Sequence, residues 1–234
     1  MDASLTAADY FPDRYVDLEK TSHRELFAPD EPVWAAIGRI RDHLDRTLTG
    51  RAIFGEIMPG AHVGERVYIG AGTRVMPGAV IIGPAWIGEG CFVAPGCYIR
   101  ENVIIDHRSI VANSSEFKNC VLFEGCEVPH FNYVGDSILG YKAHLGAGAV
   151  LSNWRLDHAA ISIPLPNGGK IETGLPKFGA VLGDHVDVGC NSTISPGSLL
   201  GRRSVLYPNC HWRGILEADR IVKVRQSLQI VERR

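Results

Sequence analysis

The sequence predicts an all-β domain, a parallel β-helix of hexapeptide repeats. Three observations carry that prediction. From Val63 an apolar residue falls at every sixth position, through Ile69, Val75, Ile81, Ile87, Val93, Ile99, Ile105, Val111, Phe117 and Phe123. Four residues after each comes something small or modest: Val67, Thr73, Ala79, Ala85, Cys91, Cys97, Val103, Ser109, Ser115, Val121. Neither the helical period nor the strand period holds a six-residue beat for this long. In a hexapeptide coil each repeat makes one side of a triangle, with the apolar residue inward and the small one at the corner. One coil then takes eighteen residues, and residues eighteen apart stack at about 4.8 Å. A single coil cannot bury its apolar face, so stacked neighbours create the core.

The elements follow in chain order. Residues 1–50 lack the repeat, and a helical cap is expected over 1–55. Pro32, followed by Val33, Ala36, Ile37, Ile40 and Leu44, reads as the start of an amphipathic helix. This segment is expected to cap the open end of the β-helix, where backbone groups would otherwise stay unpaired. The β-helix itself is expected over 56–215. Its beat fails at Pro129, restarts in a new phase at Leu139, Leu145 and Leu151, and stops. It returns at Leu182, Val188, Ile194, Leu200 and Leu206. The stretch between, 154–180, is an insertion that must leave through one corner. Within it ISIPLPNGGKIET reads as a hairpin with Asn-Gly-Gly at the turn. Such an insertion is either a binding element or a surface loop. The tail, 216–234, contains RIVKVRQSLQIVERR and reads as extended.

Composition narrows the classes. The length suits one large domain, and a formal net charge of −2 gives no sign of nucleic-acid binding. The chain shows no signal peptide and no apolar run long enough to span a membrane, so a cytoplasmic protein is expected. The six cysteines form no C-x-x-C pair. Cys91 and Cys97 fill the small corner position, which predicts buried thiols rather than metal ligands or disulfides.

Some polar residues are not needed by such a fold. Arg100 and Lys118 each follow an inward residue, point outward and are eighteen apart. Stacked cations about 5 Å apart suit a phosphate between them; two solvated side chains splayed apart explain the spacing as well. Asp106 and Glu124 stack by the same arithmetic and read as a solvated acidic edge, since a metal would want more ligands. His130 keeps the outward phase on the third corner, at the broken beat, with Tyr133 and Asp136 close by. It is either a structural histidine or a general base.

The stretch PHFNYVGDSILGYKAHLGAGAVLSN resembles the acetyltransferase domain of the bifunctional N-acetylglucosamine-1-phosphate uridylyltransferase/glucosamine-1-phosphate acetyltransferase family. The resemblance extends over roughly residues 60–212, and KIETGLPKFGAVLGDHVDVGCNSTISPG is similar to the archaeal branch. It implies a left-handed β-helix and a homotrimer with the active site between subunits. It implies acetyl-CoA as co-substrate and an amino sugar phosphate as acceptor, within nucleotide sugar metabolism. The catalytic base falls on His130. The sugar-phosphate residues fall on Arg100 and Lys118, and further substrate contacts on Tyr133, Asn153 and Lys177. The acetyl-CoA channel falls on Gly146, Ala147, Gly148, Cys190 and Pro208. Backbone N–H groups near Gly146–Gly148 are the expected oxyanion donors.

The chain also departs from that family. His144 stands at a substrate position where asparagine is usual, and Cys190 where the bacterial branch has serine. The nucleotidyltransferase domain, with its Gly-rich loop, has no counterpart in MDASLTAADYFPDRYVDLEK, so a separate nucleotidyltransferase becomes a partner to consider. Three other classes stay open: a catalytically silent β-helix that binds a nucleotide sugar and scaffolds a partner, a purely structural solenoid, and a γ-type carbonic anhydrase. The last needs three histidines at one zinc, and His62, His107, His130 and His144 lack its close pair.

Overall fold

Rung-to-rung pairing organises the chain. The structure, a computed structural model, describes residues 10–165, 167–225 and 227–233. Residues 1–9 of the expected cap, Pro166 of the insertion, and Gln226 and Arg234 of the tail lie outside the described residues. Among the described residues, short parallel strands form three sheets of nine, nine and eight strands, and a fourth sheet is a two-stranded hairpin. The first sheet runs from Ala52–Ile53 to Ile215–Leu216, the second from Glu56–Ile57 to Ile221–Val222, and the third from His62–Val63 to His211–Trp212. Each strand pairs with the strands one coil before and after it. This is the all-β, left-handed parallel β-helix that the sequence predicts. Its strands begin before residue 56 and continue past 215. Ile69, Val75, Ile81, Ile87, Val93, Ile99, Ile105, Val111 and Phe117 all point into the prism, as the beat requires.

The coil is not eighteen residues throughout. Val103 lies opposite Ala85, eighteen residues back, but opposite Cys120, only seventeen ahead. The lost residue is at the corner between the third and first sheets. Phe117 to Cys120 takes three steps there, where Ile99 to Val103 takes four. Asn119 and Asp136 turn this shortened corner with φ of 46° and 47°, a conformation Asn and Asp tolerate better than most residues. The inward beat therefore continues as Leu122, Val128, Val134 and Leu139. Three expectations change. Phe123 points outward, and the rhythm does not fail at Pro129, because Val128 and Val134 both lie inside and six apart. Asp106 and Glu124 do not stack either, since Asp106 donates its N–H to Leu122.

The N-terminal segment lies along the flank, not over the open end. Outward residues of the first sheet form an apolar column, with Trp86, Ile104, Val121, Ile138, Val181 and Leu199 on successive rungs. Water would meet this column unless something covered it. Leu26, Phe27, Val33, Trp34, Ile37, Ile40 and Leu44 pack on it. The expected helix appears as a 3₁₀ run, Val33–Arg39, leading into an α-helix, Ile40–Thr47. Buried carboxylates fasten the segment. Asp106 accepts from the Ser22 and His107 N–H groups at 2.7 and 3.0 Å. Asp184 accepts from the Asp17 and Tyr141 N–H groups at 2.9 and 2.8 Å. Asp106 is thus fully buried rather than part of a solvated edge.

The insertion forms the expected hairpin, Ser162–Pro164 against Lys170–Glu172. Its Ile161, Ile163 and Phe178 join the same flank core, so it is not a loose surface loop. After Val222 the described residues form no strand or helix, and Leu228 and Ile230 are exposed. Among the described residues no helix is long and apolar enough to cross a membrane.

The Phe123 ring meets Phe27 edge-on, with centroids 5.5 Å apart, and is fully buried. Phe123→Ala is expected to cost about 3–5 kcal/mol, measured by denaturant unfolding. A loss below about 1 kcal/mol would mean that the segment does not shield this ring.

Candidate functional site

The shortened corner carries a cavity. Arg100 and Lys118 stand on adjacent rungs of the third sheet just before it, and Arg100 donates its N–H to Phe117. The insertion leaves through the same corner and returns at Ala180, bringing Trp154 and Lys177 over it. The result is a cavity of about 220 Å³ lined by Arg100, Lys118, Tyr133, Asn153, Trp154 and Lys177. Five of the six expected substrate residues meet there. The sixth, His144, stands apart on the second sheet, between Glu127 and Asp187 of neighbouring rungs.

The two cations have acidic partners. Arg100 Nη1 donates to Glu116 Oε1 at 2.9 Å, and its Nε lies 3.5 Å from Glu101 Oε2. Lys118 Nζ lies 3.8 Å from Glu101 Oε1. The Glu116 hydrogen bond pushes the Arg100 pKa above its ordinary value. With Lys177, three cations stand at the cavity, against Glu101, Glu116 and the buried Asp136 beside it. The Lys177 ammonium sits 5.2 Å from the Trp154 ring centroid, a cation–π placement.

A buried carboxylate sets this wall. Asp136 accepts from Asn119 Nδ2 at 2.8 Å on one oxygen and from Asn153 Nδ2 on the other. Asn153 Nδ2 also reaches the Tyr133 hydroxyl at 3.2 Å. Burial pushes the Tyr133 pKa up, so its hydroxyl stays protonated. Gly135 makes the meeting sterically possible. A Cβ there would stand 2.6 Å from the Tyr133 hydroxyl and 2.7 Å from Asn153 Nδ2.

The corner between the second and third sheets carries the other expected residues. Gly148 donates its N–H to the His130 carbonyl, Asn191 to Ala147 and Asn209 to Cys190, at 3.0, 2.8 and 2.9 Å. His130, Ala147, Cys190 and Pro208 thereby stack on successive rungs of one corner. Beside them lies an almost wholly apolar cavity of about 300 Å³, lined in part by His144, Gly146, Cys190, Leu206 and Pro208. Ala147 and Gly148 are outside its lining, and His144 faces it with Nδ1 3.3 Å from Asp187 Oδ1. The His130 side chain is exposed and lines neither cavity. The Gly146 and Gly148 N–H groups are already bonded within the coil, to Val188 and His130. Of the expected oxyanion donors, only the Ala147 N–H is left without a coil partner.

Sequence reasoning did not single out Asn132, Glu101, Glu116 or Trp154. Asn132 is buried and joins the two halves of the corner. Its Oδ1 accepts from the His130 N–H at 3.0 Å, and its Nδ2 donates to the Gly146 carbonyl at 2.8 Å. Glu116 had a legible signal, since it lies two residues before Lys118 on one strand and so shares its face. Asn132 had none beyond its place in the motif.

The sequence profile of the GMPPB C-terminal domain matches residues 81–207. The chain is 34% identical over 137 residues to the bifunctional protein GlmU of Methanococcus maripaludis, covering 58% of this chain and 33% of that protein. It is 36% identical over 111 residues to a bifunctional sugar-1-phosphate nucleotidylyltransferase/acetyltransferase of Sulfurisphaera tokodaii, covering 47% and 27%. It is 37% identical over 142 residues to YaiX of Escherichia coli, an uncharacterized acetyltransferase, covering 61% of each. The chain thus spans a third or less of the two bifunctional relatives.

Cys190 is the exposed cysteine, and the other five are buried. Burial pushes the Cys91 thiol up to about 11, and raises Cys97, Cys120 and Cys126 well above the ordinary thiol range as well. An aromatic disulfide reagent at pH 8 is expected to label one thiol per chain quickly and the rest only on unfolding. Fast labelling of two or more, or loss of none of it in Cys190→Ser, would contradict this cavity wall.

Proposed function

The chain belongs to the GMPPB C-terminal domain family, and we propose that it is a hexapeptide-repeat N-acetyltransferase. It moves an acetyl group from acetyl-CoA to an amino sugar phosphate such as glucosamine 1-phosphate. One observation carries the reading: Arg100, Lys118, Tyr133, Asn153 and Lys177 come from separate rungs and from the insertion, yet line one small cavity with three cationic side chains in its wall. That chemistry suits a phosphorylated sugar, with hydroxyl and carboxamide groups for the ring and cations for the phosphate. The apolar cavity on the second sheet, at its corner with the third, suits a pantetheine arm. The acetyltransferase names of the Sulfurisphaera and Escherichia relatives support the same class.

The two cavities flank the third sheet, and His130 is exposed between them. The protein works as a homotrimer, in which a neighbouring copy covers this sheet and closes the site. In the reaction, His130 takes a proton from the sugar ammonium or from the amine as it attacks. The amine nitrogen bonds to the thioester carbonyl carbon, and the Ala147 N–H stabilises the oxyanion. Collapse breaks the C–S bond, releases the CoA thiolate to be protonated, and leaves the amide. The thiols form no covalent intermediate. Alignment of the two reactants supplies much of the acceleration.

Two outcomes test the reading. His130→Ala is expected to keep the fold and lose on the order of 10²–10⁴ in turnover, followed with the best amino sugar phosphate. Wild-type turnover by the variant would remove His130 from the role of base. Lys118→Ala is expected to weaken a phosphorylated amino sugar by about 1.5–3 kcal/mol in calorimetry, and its unphosphorylated counterpart far less. Equal losses for the two would place Lys118 against another part of the sugar.

A further inference from the structure

The N-terminal segment holds a cluster that the acetyltransferase reading does not use. His23 precedes the short 3₁₀ turn Arg24–Leu26, Glu25 sits within it, and His43 lies on the helix Ile40–Thr47. Both imidazoles are buried, with 5% and 2% of their surfaces exposed. His23 Nδ1 is 2.8 Å from His43 Nε2, and His43 Nδ1 is 3.7 Å from Glu25 Oε1. One donor atom from each of the three residues falls within 4.8 Å of the others. Burying two imidazoles side by side is costly unless every ring nitrogen is satisfied. Among the described residues His23 Nε2 is buried with no hydrogen-bond partner, so the His23 ring is held through Nδ1 alone.

We propose that His23, Glu25 and His43 bind one divalent transition-metal ion of the Zn²⁺ type, which staples the N-terminal segment together. Two imidazole nitrogens and one carboxylate oxygen suit zinc, whereas calcium and magnesium demand oxygen ligands. At zinc–nitrogen distances of about 2.0–2.1 Å, two tetrahedral ligands stand roughly 3.3 Å apart. The two rings need separate by only about half an ångström from their present contact. Glu25 is 56% exposed, so the cluster opens to solvent on its side and a water can complete four-coordination.

The surroundings hold the ligands in place beforehand. The Ser22 N–H donates to buried Asp106 and the Ser22 hydroxyl meets His107 Nε2 at 2.9 Å, which fixes the backbone just before His23. The His23 ring rests edge-on against Trp86, with centroids 4.4 Å apart. Trp86 belongs to the first sheet, so the ion sits where the segment docks on the β-helix, on a different flank from the two cavities.

The test uses the full chain, stripped with a chelator and titrated with Co²⁺ and then Zn²⁺. The expected result is saturation at one ion per chain, visible absorption bands of four-coordinate Co²⁺, and their displacement by Zn²⁺. Glu25→Gln is expected to keep the fold, because Glu25 is largely exposed, and to weaken Zn²⁺ binding at least about tenfold, as losing a direct ligand should exceed the loss of an outer-shell partner. His43→Gln is expected to abolish the bands, while His144→Gln keeps them. No saturable binding would overturn the proposal. So would bands that survive Glu25→Gln at unchanged affinity, whatever the folding of the His43 variant. Bands lost in His144→Gln and kept in Glu25→Gln would assign the ion to the second sheet and overturn it equally.

Discussion

A buried carboxylate between two carboxamides holds the site together. Asp136 takes Asn119 on one oxygen and Asn153 on the other, across three successive rungs. It can do so because the coil loses a residue at this corner, and Asn119 and Asp136 turn it with positive φ. The shortened turn draws the side chains into one column. A buried carboxyl group bonded at both oxygens is tolerable, whereas one left unbonded there would not be. The Tyr133 hydroxyl, Asn153 and the exit of the insertion all depend on that column. The Gly-Asp pair in PHFNYVGD is therefore a structural clamp beside a functional wall: glycine leaves room for the tyrosine and the asparagine, and aspartate fixes the asparagine.

The three flanks of the prism have divided their work. The first sheet is covered by the N-terminal segment and the hairpin, through one continuous apolar column. The third sheet carries the cationic cavity, and the apolar cavity lies on the second sheet at the corner the two sheets share, where Asn132 ties the His130 turn to Gly146. Fixing such groups on stacked rungs gives a rigid placement that loops could not match, because each rung is held by backbone bonds on both sides. Charge is managed in the same way. Glu101 and Glu116 pair with Arg100 and Lys118 and hold the two cations in position beside the pocket.

The prism was legible because each inward residue is dictated by local chain geometry, and apolar side chains repeat with it. The phase slip was not, because Leu122 and Phe123 are both apolar and a beat cannot choose between adjacent hydrophobes. Val121, expected at a corner, faces outward for the same reason. The flank position of the N-terminal segment was half-written in the chain. Its apolar stripe announced that it covers something, but Trp86, Ile104, Ile138 and Leu199 announce what is covered only once the register is known. The stacked Arg100 and Lys118 were found by spacing alone, while Glu101 and Glu116 were missed because that spacing follows one column and their contacts run between columns. The cavity then gathered residues from the insertion, which no repeat could place.

The central claim is that the two cavities form the acceptor and donor halves of one acyl-transfer site. Its most direct measurement is the loss of thioester absorbance from acetyl-CoA with a panel of sugars: an amino sugar, its phosphate, and the matching hydroxyl sugar phosphate. Following the thioester rather than free thiol avoids interference from Cys190. The account predicts enzyme-dependent turnover that requires the amine and rises steeply with the phosphate. No turnover with any amino sugar, or equal turnover with the hydroxyl sugar phosphate, would contradict it.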